Sequence, residues 1–90
     1  MNKYIEIIKE ARQYLINCSQ IVMIYYSKKF NEIVIHTYDN GYVSISKQDE
    51  IQSRKLYELM RKFLLSDTDN YILVDAINTM VFDKDSQIYK

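Results

Sequence analysis

Residues 20–47, QIVMIYYSKKFNEIVIHTYDNGYVSISK, decide the expected fold. β-Branched and aromatic residues recur in three runs, about 21–26, 32–38 and 42–46, parted by polar loops. Such runs read as consecutive antiparallel strands. Gly41, the single glycine of the chain, follows Asp39 and Asn40 between two of them. A three-residue hairpin loop wants a last residue that tolerates positive φ, and glycine does so without steric cost. The expected register therefore sets Tyr38 opposite Tyr42, His36 opposite Ser44, Ile35 opposite Ile45 and Val34 opposite Ser46.

Side chains alternate along a strand. One face then carries Ile33, Ile35, Val43 and Ile45, and the other carries Val34, His36, Tyr38, Tyr42, Ser44 and Ser46. A four-residue loop after the first strand adds Val22, Ile24 and Tyr26 to the aliphatic face. It adds Ile21, Met23 and Tyr25 to the tyrosine face.

The flanks read as helices. Over 3–18, Tyr4, Ile7, Ile8, Ala11, Tyr14, Leu15 and Cys18 recur at spacings of three and four, leaving Ile5 and Ile16 off the stripe. A second helix is expected from about Gln48 to Leu65. Ser46 or Lys47 lies near its start, and Ser46 has capping-box spacing to Asp49. Its inward stripe is Gln52, Leu56, Leu59, Met60 and Phe63. Ser66–Asn70 reads as a loop or cap, and its two aspartates lack the glycine and the closing acid of a calcium loop. Residues 70–83 favour a third helix over a terminal strand pair, with Leu73, Val74, Ala76, Ile77, Met80 and Val81 on one side. The tail from Asp83 has no period and is expected to fray. The expected class is thus α+β: a three-stranded antiparallel meander with two helices on one face and a third helix at the end, in the order αβββαα.

Ninety residues bound a single small domain, 1–90. Twelve basic and twelve acidic residues leave no net charge, which argues against a protein whose main partner is nucleic-acid phosphate. One cysteine, Cys18, forms no internal disulfide and suggests a reducing, cytoplasmic setting. On an apolar stripe it reads as a small buried hydrophobe. No run is long enough for a membrane span. Nine tyrosines with abundant Ile, Lys and Asn suggest an AT-rich bacterial or phage genome.

No catalytic set assembles. His36 is the lone histidine, and Ser44 is its expected neighbour, with no acid beside it. One histidine and one cysteine do not build a zinc site, so no enzyme, metal or cofactor is expected. The tyrosine face is the better candidate: Met23, Tyr25, Val34, His36, Tyr38 and Tyr42 offer stiff amphipathic contact area. Arg54, Lys55, Arg61 and Lys62 form a basic strip on the second helix, with Glu58 in its midst. The expected role is a small non-enzymatic protein-binding module using the tyrosine face, in one form a phage or mobile-element inhibitor of a host defence enzyme. The element order is similar to that of a small anti-CRISPR inhibitor of Cas9, as are the Asn40-Gly41 turn and the Tyr42-Val43-Ser44-Ile45 strand, although the acidity such an inhibitor depends on is absent. The alternatives are binding of a nucleotide or single-stranded nucleic acid on the same rings, and a structural homodimer formed by that face or a free strand edge.

Overall fold

The computed structural model describes residues 2–46 and 49–90. Their order is β1 (Tyr4–Lys9), β2 (Arg12–Asn17), a 3-10 turn (Cys18–Gln20), β3 (Ile21–Ser27), β4 (Glu32–Thr37), β5 (Tyr42–Ile45), α1 (Glu50–Leu65), β6 (Tyr71–Asp75) and β7 (Met80–Asp83). The central meander and the helix of 50–65 are as expected. The helices expected over 3–18 and 70–83 are instead strand hairpins, so the order αβββαα is replaced by ββ-βββ-α-ββ. The likeness of layout to a Cas9 inhibitor goes with it.

The strands form two sheets, one ordered β2-β1-β6-β7 and one ordered β3-β4-β5. β1 pairs antiparallel with β2 and parallel with β6. Two transverse rows result: Ile16, Ile5 and Ile72, then Tyr14, Ile7, Val74 and Val81. Ile5, Ile7, Ile72 and Val74 are wholly buried. A helix would have spread these side chains around its circumference, whereas the period of two sets Ile5 and Ile7 side by side. The residues expected off the stripe, Ile5 and Ile16, are therefore core, while Leu15 on the stripe is 64% exposed.

The inner face of the second sheet adds the rows Tyr26–Ile33–Ile45 and Ile24–Ile35–Val43. α1 closes the same core with Leu56, Met60 and Phe63, all spaced by three or four residues. Ser53 takes the inward place expected of Gln52, and Gln52 is exposed. The Ser53 hydroxyl is buried without a hydrogen-bond partner. Asp49, not Ser46, caps the helix, accepting from the Gln52 N–H at 2.8 Å. The expected start at Gln48 and any role of Lys47 lie outside the described residues. At the other end Lys3 donates to the carbonyl oxygens of Phe63 (2.7 Å) and Ser66. An ammonium there answers both the free carbonyls and the negative end of the helix dipole.

The turns use little glycine. Glu10 (φ 53°), Asn31 (48°), Asn40 (65°) and Thr79 (56°) supply the left-handed residue of the four hairpins. Gly41 has no positive φ, and Asn40 has it instead. At 41 an added Cβ would meet Thr37 Oγ1 and Asp39 Oδ1 at 3.0 Å each, so those two side chains would have to give by a few tenths of an ångström. In the last hairpin the Asp75 carboxylate accepts from the N–H groups of Ile77 and Asn78, both at 3.0 Å, in an Asx turn. The tail does not fray. Tyr89 is 8% exposed, its N–H donates to Val81 O at 2.8 Å, and Ile88 bridges to Phe82.

Two stability measurements follow. In urea unfolding, Ile5→Ala is expected to cost about 2–5 kcal/mol, and Leu15→Ala no more than about 0.5 kcal/mol. The reverse order would restore the helical stripe. Thr79→Gly is expected to gain about 0.5–1 kcal/mol, because a β-branched residue is strained in the left-handed region. A loss would show that the threonine side chain stabilises the turn.

Candidate functional site

The outer face of β3-β4-β5 is built by alternation opposite the isoleucine rows. Its rows are Met23–His36–Tyr42, Tyr25–Val34–Ser44 and, at the far end, Ser27 beside Glu32. The register differs by two residues from the expected one, so His36 faces Tyr42 and not Ser44. A two-residue slip leaves every side chain on its expected face, which is why face membership survives on β4 and β5. β3 differs locally. A bulge between Ile21 and Met23 breaks the alternation. Ile21 packs on the core, and Val22, expected inward, is 52% exposed.

Three rings meet on this face. Tyr25 stacks on His36 with centroids 5.8 Å apart and planes 20° apart. His36 meets Tyr42 at 6.0 Å. These are ordinary aromatic separations, and they form a ladder across all three strands. Met23 is 49% and Tyr42 67% exposed. Val34 is 3% exposed yet stands outside the core cluster, so its cover comes from neighbours on the same face. It is a floor beneath the rings, not a contact residue. Tyr38 stands in the turn, 68% exposed, and among the described residues no ring contact ties it to Tyr42. The chain's last segment does not cover the face, because β6 and β7 belong to the other sheet.

Both signs of charge border the ladder: Glu32 and Asp39 on the acidic side, and Lys28 and Lys29 in the β3–β4 turn. Glu32 lies on the same face by alternation. At the turn Asp39 accepts from Thr37 Oγ1 and from the Gly41 N–H at 3.1 Å, and these bonds, the threonine's first, hold its carboxyl below the usual range. The sequence marks Asp39 as a turn residue but neither Asp39 nor Glu32 as part of the site. For Glu32 the signal was there, as it shares parity with Val34 and His36.

The basic strip is separate. α1 packs against the inner side of this sheet, so Arg54, Lys55, Arg61 and Lys62 are on the opposite side from the rings. Arg54 lies 3.7 Å from Glu50 and Arg61 3.9 Å from Glu58. Lys62 donates to Lys90 O, and Lys55 lines an apolar groove with Leu59 and Tyr89. A cleft of about 480 Å³ lies between the β1–β2 turn, β5 and the β6–β7 turn. Its ammonium, Lys9, is occupied by Ser44 O. Among the described residues no group of three or more His, Cys, Asp or Glu is placed to hold a metal ion, and no helix is long and apolar enough to cross a membrane. Cys18 is half-buried against the core rather than wholly buried, and burial raises its thiol pKa.

The chain matches no family model, no curated protein and no solved structure.

Two tyrosines outside the face are structural. Tyr71 donates to Glu6, and Tyr89 donates to Asp69 at 2.8 Å; burial and then these carboxylates push both phenols up to about 12. A pKa raised in the folded state gives stability that is fully present below the unfolded value, about 10. That stability is lost as pH rises toward 12. Ultraviolet titration is therefore expected to show a delayed phenolate phase, which shrinks in Tyr89→Phe. Loss of that one phenol from the ordinary phase at about 10, with the delayed phase unchanged, would remove the Asp69 bond from the account.

Proposed function

We propose that the chain is a small non-catalytic protein-binding module whose docking surface is the outer face of β3-β4-β5. The observation that carries this reading is the uncovered ring ladder Tyr25–His36–Tyr42, flanked by exposed Met23 and Tyr38. Stiff aromatic side chains give large contact area at small entropic cost, and such residues carry most of the binding energy where proteins meet.

Charge favours a protein over a nucleotide or single strand on the same rings. Base stacking on a sheet is ordinarily framed by lysines and arginines that hold the phosphates. Here the face itself carries Glu32 and is closed at one turn by Asp39, the helix cations are behind the sheet, and Lys28 and Lys29 are confined to the β3–β4 tip, away from the His36–Tyr42 end. The layout shared with a Cas9 inhibitor is absent from this fold, and the turn and strand that remain alike are too short to carry an inhibitor role.

The test compares capture of partners from a lysate by wild type, Tyr38→Ala plus Tyr42→Ala, and Leu15→Ala on the other sheet. Both tyrosines are two-thirds exposed, so truncation is expected to cost the fold no more than about 0.5 kcal/mol each. The double variant is expected to lose at least one protein that Leu15→Ala retains. Equal capture by all three removes the docking role. Oligonucleotide binding that weakens with salt would move the reading to nucleic acid.

A further inference from the structure

We propose that β3 is a self-association edge, and that two copies of this chain pair through it about a two-fold axis at Tyr25. This rests on backbone edges and not on the docking role of the rings.

The two sheets present four edges, β2, β7, β3 and β5. An open edge is a row of unpaired N–H and C=O groups that templates another strand, and stable monomers blunt it. Three edges here are blunted. β7 is covered by the tail through the Ile88 bridge and the Tyr89–Val81 bond. β5 is four residues long, and Lys9 takes its Ser44 carbonyl. β2 carries the cation Arg12. β3 is the longest strand, seven residues, and Ile21–Ser27 holds no charge, proline or glycine. Its bulge at Val22 disturbs the N-terminal end and leaves Met23–Ser27 regularly paired to β4. An uncharged, β-prone window of this kind is the signature of strands that pair with their own kind.

A second copy suits this edge for two reasons. The chain has no net charge, so two copies do not repel. Antiparallel pairing centred on Tyr25 also sets Met23 against Ser27, Ile24 against Tyr26 and Tyr25 against its mate. Any two-fold antiparallel pairing matches side-chain parity in this way, and centring it on Tyr25 engages all five residues of the regular segment Met23–Ser27. The two meanders become one six-stranded sheet, and the two ring ladders meet at the axis.

Sedimentation of the full chain from about 1 μM to about 500 μM tests this, a span chosen because small interfaces bind in the micromolar range. The average mass is expected to rise from one chain to two. Tyr25→Lys puts two like charges face to face on the axis and is expected to stay monomeric across the range with an unchanged circular dichroism spectrum. Tyr25→Cys in a Cys18→Ser background is expected to oxidise to a covalent dimer, since opposed antiparallel Cα atoms about 4.5–5.5 Å apart fit a disulfide. Tyr42→Cys in that background is not. A monomer mass for wild type throughout overturns the proposal, and so does dimerisation of Tyr25→Lys equal to wild type. Should Tyr25→Lys fail to fold, the two cysteine variants decide. If Tyr38→Ala plus Tyr42→Ala is monomeric where wild type is dimeric, the rings and not the edge drive association, and the edge proposal fails.

Discussion

The parallel pairing of β1 with β6 is the constraint on which the rest depends. It joins the two ends of the chain, Tyr4 beside Tyr71 through Ile8 beside Asp75. With β6 fixed there, its partner β7 is drawn into the same sheet, and the tail follows through Tyr89. No C-terminal element is left to cover the meander. α1, which connects the meander to β6, must fill the space between the sheets and so covers only the inner face of β3 and β4. The ring ladder is exposed as a consequence of where the last strands are used.

The meander was legible in the sequence because its evidence was local. Alternation over Ile33, Val34, Ile35 and His36 fixes which side chain faces which way, and a register slip of two leaves that unchanged. The flanks were not legible for the same reason reversed. Tyr4, Ile7, Ile8, Tyr14 and Leu15 happen to fall at helical spacings, while the alternation of Ile5 and Ile7 is only two residues long. What selects the strand is the partner row, Ile16 and Ile72 on either side of Ile5, and that row is non-local. Tertiary burial of three isoleucines outweighs a preference worth tenths of a kcal/mol per residue.

Turn chemistry hid the hairpins as well. Glu10 and Thr79 hold left-handed backbone where glycine or asparagine would ordinarily announce a turn. The Asp75–Asn78 pair did carry a readable Asx-turn signal, but the apolar residues around it masked it. At the site, the rings and His36 were identified from parity alone. The bulge at Val22 and the shielding of Val34 depend on cross-strand geometry and had no sequence signal.

The most direct test of this arrangement is a set of nuclear Overhauser contacts in solution. Backbone and methyl contacts are expected from Ile5 and Ile7 to Ile72 and Val74, with the Tyr25 and Tyr42 rings touching His36. Contacts from those two rings to any residue of 71–83 would place the C-terminal hairpin over the meander and contradict the account.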